Sequence, residues 1–249
     1  TRIMSATHEI NIEDMIEDED VVITLTHFGY IKRMPEGTYR PQKRGGRGVM
    51  ALSKREEDFV EDLYITSTHS TILFFTNKGK VFSLKAYEIP EASRQAKGTA
   101  IVNLLNLTGE EKITAIVPLY KHNPEDNLVL ITREGTIKKT NLDQFENIRK
   151  TGLIAISLHE ADELISVKLT SGNNDLIVVT RKGMAIRFSE KDVRNMGRNA
   201  SGVKAITLSG DDVVVAMEIV DEDRTLLVIT ENGRSEEHTS ELQSLSHLV

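Results

Sequence analysis

The chain has 249 residues, 39% of them hydrophobic, and a formal net charge of −7. That length suits one large domain or two ordinary ones with a substantial core. The absence of cysteine excludes a disulfide framework and a thiolate metal site, and no apolar run reaches the ~18 residues that a membrane-spanning helix needs.

Residues 1–20 form an acidic lead-in with a charge of −6. Asn11 and Asp14, with Ile12, Met15 and Ile16, predict a short capped helical turn there. The chain opens at Thr1 rather than Met and shows no apolar signal region, so the expectation is a fragment. Residues 234–249 carry −2, which leaves 21–233 at +1. A near-neutral body can still carry a basic face, so arrangement matters more than the sum.

From Val21 the chain repeats itself. Five apolar runs end in Thr: 21–26, 71–76, 127–132, 175–180 and 225–230. Three residues after each Thr stands a glycine (Gly29, Gly79, Gly135, Gly183, Gly233), at spacings of 50, 56, 48 and 50. β-Branched runs followed by a polar turn with Gly read as strands entering hairpins. Second strands follow, such as Tyr30–Arg33 and Thr136–Lys139. A second glycine recurs 17 to 19 residues on (Gly48, Gly98, Gly152, Gly202) and opens a third strand at 49–52, 99–102, 153–156 and 203–206. A fourth strand is expected at 63–66, 113–116, 164–167 and 213–216.

Four strands per ~50 residues in tandem predict an all-β, propeller-like array of four-stranded blades. The expected blades are 21–69, 70–124, 125–173 and 174–223, with a partial fifth at 224–233. A β-sandwich gives no reason for a fixed repeat of this length.

The charge is periodic too. Between the first and second glycine of each unit (29–48, 79–98, 135–152, 183–202) lie eighteen basic and seven acidic side chains. The other halves are acidic, as at Glu56-Glu57-Asp58, Glu110-Glu111, Glu160-Ala161-Asp162-Glu163 and Asp211-Asp212, and read as solvated faces. Cations at equivalent repeat positions predict a basic band suited to a duplex backbone. Its candidate residues are Lys32, Arg33, Arg94, Lys97, Lys138, Lys139, Arg149, Lys150, Arg187 and Arg198. The first unit adds Gln42-Lys43-Arg44-Gly45-Gly46-Arg47-Gly48. There, arginine forks suit phosphate oxygens and the glycines let the backbone approach closely. The other units hold partial copies, 94–98, 149–152 and 198–202. The alternative for any one such loop is a solvated surface turn. No catalytic constellation stands out: the seven His are scattered, and no H-E-x-x-H, G-x-x-x-x-G-K-[ST] or G-x-S-x-G occurs.

Residues 42–48 match the box Q-[RK]-R-G-G-[RK]-G at every position. With the flanks Asp20–Lys32 and Glu57-Asp58-Phe59, and with Gly79–Phe82, Ile101–Leu105, Asp162–Ile165 and Met196–Asn199, residues 5–233 resemble the C-terminal DNA-wrapping domain of bacterial DNA gyrase A subunits, of the type IIA topoisomerases. The resemblance implies a β-pinwheel, a propeller-like disc whose six blades exchange strands. It implies that double-stranded DNA wraps around its basic rim, enabling ATP-dependent negative supercoiling. It implies pairing with the gyrase B subunit in an A2B2 heterotetramer through the upstream domain, in a bacterial cytoplasm beside the nucleoid and away from the membrane. No cofactor is expected in this stretch; ATP and magnesium act elsewhere in the holoenzyme. The fragment itself is expected to be non-catalytic, although its parent is a type II topoisomerase.

Measured against six blades, the pinwheel is truncated to four full blades and the start of a fifth. Residues 234–244 read as the in-frame translation of a common short-read sequencing adapter, so 234–249 is expected to be an artefact foreign to the fold. The competing functions are a topoisomerase IV-type DNA-binding domain, whose box is degenerate or missing, and a protein-interaction propeller for an acidic partner.

Overall fold

The computed structural model describes residues 12–38, 58–120, 122–123, 125–221, 223, 225–229 and 235–238. Two compact units divide the chain: Thr1–Ile72 with Ser83–Asn106 and Pro118–Tyr120, and Leu73–Phe82 with Leu107–Val117 and Lys121–Val249. The described residues are all-β with short 3-10 turns. The turn foreseen in the lead-in is a 3-10 turn at Ile12–Met15.

The first repeat holds β1 (Asp20–Thr26), β2 (Tyr30–Pro35) and β3 (Val60–Ser67). The second holds β4 (Thr71–Thr76), β5 (Lys80–Lys85), β6 (Thr99–Ala100) and β7 (Ile113–Leu119). In the third are β8 (Asn127–Thr132), β9 (Thr136–Asn141), β10 (Leu153–Ile154) and β11 (Leu164–Thr170). In the fourth are β12 (Asp175–Thr180), β13 (Ala185–Ser189), β14 (Val203–Lys204) and β15 (Val214–Ile219). Val21–Thr26 and all of β8 are buried, as expected for apolar runs covered on both faces. Between the last two sheets lies a core of Val129, Ile131, Ile137, Leu176, Val178, Val193, Val214 and Met217.

The T-x-x-G signature closes the hairpins of the four repeats twice over. The glycine N–H donates to the Thr carbonyl, at 2.8 Å for Gly29–Thr26 and 3.0 Å for Gly135–Thr132. The buried Thr hydroxyl then accepts the N–H of the residue after the glycine, at 3.1 Å for both Tyr30 and Thr136. These glycines stand at φ 75° to 83°, the left-handed region that a side chain disfavours.

Each turn is also pinned from the strand that follows the acidic stretch. The Asp58 carboxylate accepts the Phe28 N–H at 3.1 Å, Asp162 that of Glu134 at 3.0 Å, and Asp212 that of Lys182 at 3.0 Å. In the second repeat the roles reverse, and Lys112 N–H donates to Asn77 Oδ1 at 2.9 Å. Asp58, Asp162 and Asp212 are therefore buried turn clamps, while Glu111 is buried against the Lys80 ammonium and the Thr108 N–H; the reading of these stretches as solvated faces is corrected at all four residues. A bulge recurs at Thr26, Thr132 and Thr180, beside this clamp.

The third strand expected at 49–52 lies outside the described residues; those of the second, third and fourth repeats leave their own sheets. β6 pairs with β2, β10 with β5 and β14 with β9. The sheets thus run β3-β1-β2-β6, β10-β5-β4-β7, β11-β8-β9-β14 and β13-β12-β15. Grouping four successive strands into one sheet is corrected accordingly, and strand exchange is the arrangement the pinwheel implies. These strands are only two residues long because a 3-10 turn or a sharp bend follows at once. The exchange is fastened at the hairpin glycine, whose carbonyl accepts Ile101 N–H (Gly29, 2.9 Å), Ala155 N–H (Gly79, 2.8 Å) or Ala205 N–H (Gly135, 2.8 Å).

A further hairpin pairs β16 (Leu226–Ile229) with β17 (Ser235–His238). The segment expected to be foreign to the fold therefore supplies a strand partner. Hairpin hydrogen bonds use main-chain groups, which any non-proline residue carries.

Candidate nucleic-acid interface

Gln42, Lys43, Arg44, Gly45, Gly46, Arg47 and Gly48 lie outside the described residues. Their counterparts in the other repeats are described. Each precedes an exchanged strand and makes a tight turn: Ala96 N–H donates to Ser93 O at 3.0 Å, Gly152 N–H to Arg149 O at 2.8 Å, and Ala200 N–H to Gly197 O at 3.0 Å. The turns end on Gly98 (φ 92°), Gly152 (φ 77°) and Gly202 (φ 105°). A Cβ on Gly98 would lie 2.6 Å from Ile31 O, and one on Gly202 would lie 2.6 Å from Ile137 O. Glycine is thus required twice, for its φ and for the close approach of two backbones.

Several predicted cations point inward. Lys32 is 1% exposed, and its ammonium donates to the carbonyls of Arg94 (2.7 Å), Ala96 (2.9 Å) and Ser93 (3.3 Å). Lys138 is fully buried and donates to Ala155 O at 2.5 Å and to Arg198 O. Lys139 reaches Glu190 O at 2.7 Å. Burial lowers the Lys32 pKa from its ordinary value; burial, with the nearby Arg198 charge, lowers that of Lys138 to about 8. Arg33 is mostly covered; its Nε donates to Ile89 O at 3.2 Å and its guanidinium lies within 4.0 Å of Glu19 and Glu91. Assigning Lys32, Lys138 and Lys139 to phosphate contact is therefore corrected, because their donors are spent on backbone carbonyls inside the fold. A second strand buried on both faces turns even its lysines inward, and charge counting cannot register that.

Other predicted cations remain at the surface. Lys97, Arg149 and Lys150 are exposed, and Arg94 and Arg198 are half-buried. The Lys97 ammonium sits 3.6 Å over the Tyr30 ring. Arg198 N–H donates to Gln144 Oε1 at 3.0 Å, and its guanidinium to Gln144 O at 3.3 Å. Arg187 is held by Asp175, at 2.7 and 3.0 Å. Lys191 and Arg194 are exposed on either side of buried Val193 and were not singled out by sequence. The signal for them is the apolar Val193 between two polar turns. Among the described residues, no group of three or more His, Asp or Glu is placed to hold a metal, and no helix is long and apolar enough to cross a membrane. What the turns can do is present arginine guanidinium forks and lysine ammonium groups from one repeated loop type.

The model of the DNA gyrase C-terminal domain, described as a beta-propeller, matches residues 20–67, 70–119, 126–171 and 174–221. The chain belongs to the DNA gyrase C-terminal domain family. Among its gyrase relatives, the DNA gyrase A subunit of Clostridium acetobutylicum is 58% identical over 204 residues, covering 82% of this chain and 25% of the relative. That of Halalkalibacterium halodurans is 56% identical over 201 residues, covering 78% and 24%. The chain thus spans about a quarter of the length of the gyrase subunits it matches. Among solved structures, a DNA gyrase A C-terminal domain superposes with a TM-score of 0.69 at 29% identity, over 88% of this chain and 71% of that one. The C-terminal domain of a DNA topoisomerase IV superposes with a TM-score of 0.74 at 28% identity, over 90% and 69%. The gyrase-type β-pinwheel expected from the repeat and the box is the fold of this chain.

Proposed function

We propose that this chain is the DNA-binding part of a gyrase A subunit, holding double-stranded DNA on the loops that precede its exchanged strands. The observation that carries the reading is the gyrase family match across four successive repeats, with the same loop placement in the three repeats whose loops are described. Arg94, Lys97, Arg149, Lys150 and Arg198 supply phosphate contacts, and residues 42–48 supply the strongest one. Lys191 and Arg194 extend the same surface. The finer reading is that the duplex wraps, and that the wrap lets the assembled enzyme introduce negative supercoils. In that assembly, the gyrase B subunit joins through the upstream domain in an A2B2 heterotetramer, in the bacterial cytoplasm. ATP and magnesium act elsewhere in the assembly, and this stretch contributes binding without catalysis.

The test has two stages. The logarithm of the chain's duplex affinity should fall linearly with the logarithm of salt concentration, as expected when several phosphates are neutralised. In the whole subunit, with its partner and ATP, alanine at Lys43, Arg44 and Arg47 should abolish supercoiling while relaxation persists. Salt-independent binding would remove the DNA reading, and wild-type supercoiling by the triple variant would remove the wrapping reading. Likeness to a topoisomerase IV C-terminal domain keeps a second reading in view, in which DNA is bound without strong wrapping. A chain that binds a relaxed plasmid without changing its topology after nicking and ligation supports that second reading.

A further inference from the structure

Three repeats can be compared at two linked positions. One is the third residue after the hairpin glycine. The other is the residue four before the glycine that leads into the strand docked on that same hairpin. The pairs are Lys32 with Arg94, Phe82 with Ile148, and Lys138 with Arg198. Lysine and arginine occur together in two repeats and are absent together from the third. In both lysine pairs the ammonium donates to the carbonyl oxygen of that same arginine: Lys32 to Arg94 O, at 2.7 Å, and Lys138 to Arg198 O.

Packing alone does not call for the lysine. In the second repeat Phe82 fills the same register and is 1% exposed, with Gly152 closing over its ring. A Cβ on Gly152 would lie 2.8 Å from that ring. Burying an ammonium costs free energy that burying a phenyl ring does not, unless its donors are used. What the ammonium adds is direction. Its donors set the orientation of the Arg94 carbonyl, hence the peptide plane after Arg94 and the course of the turn that carries its side chain. With Ser93 O and Ala96 O also held, three carbonyls of a single turn converge on Lys32.

We propose that Lys32 and Lys138 are positioning residues: each orients the loop arginine whose carbonyl it holds, Arg94 or Arg198, toward a nucleic-acid phosphate. The proposal rests on the DNA reading given above. Neither lysine touches the nucleic acid itself.

A double-mutant cycle on the full chain tests it, with Lys32→Met, Arg94→Ala and the pair, binding a mixed-sequence DNA duplex across a salt series. Each single change should lower the slope of log affinity against log salt by about 1, the loss of one phosphate contact. The pair should equal Arg94→Ala alone. If Lys32→Met leaves the slope unchanged, or weakens binding by the same factor in both backgrounds, the proposal is overturned. Lys32→Phe, which copies the second repeat, replaces Lys32→Met if the latter does not fold. Lys138→Phe with Arg198→Ala repeats the cycle at an independent loop. A readout without DNA is the rate of trypsin cleavage after Arg94, which should rise severalfold in Lys32→Met and Lys32→Phe; an unchanged rate overturns positioning. If the wild-type chain binds duplex without salt dependence, the DNA reading fails, and the trypsin rate still decides the positioning claim.

Discussion

The ammonium of Lys32 lies 2.7 Å from the carbonyl oxygen of Arg94, a residue 62 positions further along the chain. Two cations that sequence alone would place side by side on a basic surface thus have different tasks. One is an interior fastener and the other stands on the loop it fastens. The same division holds between Lys139, buried inside the fold, and Arg149 and Lys150, exposed on a loop.

Lys139→Met removes a buried donor to Glu190 O. Losing that hydrogen bond should cost about 1–3 kcal/mol, seen as a lower melting temperature with an unchanged salt slope of DNA binding. Arg149→Ala with Lys150→Ala should do the reverse, because both residues are exposed. Their loss should reduce the salt slope by about 2 and leave melting within error. A reduced slope for Lys139→Met would return that residue to the DNA surface.

Lys138 makes stability depend on pH in a stated direction. Its folded pKa is lowered to about 8 from 10.5, so between those values the unfolded chain binds more protons than the folded one. Stability from this group therefore rises as pH increases from about 8 toward 10.5, and is flat below that window. In chemical denaturation at pH 7.5 and pH 9.5, the stability of wild type relative to Lys138→Met should shift in favour of wild type at the higher pH, by about 1–3 kcal/mol. A difference that is constant with pH would contradict the buried, partly neutral state.

Asp162 accepts the N–H groups of Glu134 at 3.0 Å and Glu163 at 2.8 Å. Asp162→Ala leaves both donors unmatched and should destabilise by about 2–6 kcal/mol, at about 1–3 per unmatched group. Glu160→Ala, on an exposed neighbour in the same acidic stretch, should change stability by less than about 0.5 kcal/mol. Equal effects would mean that the stretch is the solvated face its composition suggests.

Gly202→Ala would place a Cβ 2.6 Å from Ile137 O on a backbone at φ 105°. The main-chain pairing of Val203 with Ile137 cannot form without a shift. We expect a loss of at least about 2 kcal/mol and faster amide exchange at Val203. Gly197→Ala, with open space around its Cβ, is the control and should be silent.

Removal of residues 235–249 takes away the partner of β16. Among the described residues, β16 and β17 pair only with each other, apart from the other four sheets. Amide protection should therefore disappear at Leu226–Ile229, while the main thermal transition and DNA affinity stay unchanged. A lowered main transition would make the tail an integral part of the blades.

What the linear chain determined by itself was everything tied to a local period. Terminal Thr and the glycine three residues on mark each hairpin, because the turn needs a left-handed residue there and a hydroxyl to close it. First, second and fourth strands follow from apolar runs that must be covered, and the box at 42–48 with its repeat context pointed to the gyrase family. What tertiary structure decided was which partner each residue meets. The short third strands at Thr99–Ala100, Leu153–Ile154 and Val203–Lys204 pair with the repeat before, because strand pairing is settled by where the chain is carried in space. Asp58, Asp162 and Asp212 became turn clamps, and Lys32, Lys138 and Lys139 became carbonyl fasteners. Formal charge is the same for a solvated ammonium and for one buried against backbone oxygens. Only the position of those oxygens, brought from more than fifty residues away for Lys32, tells the two apart.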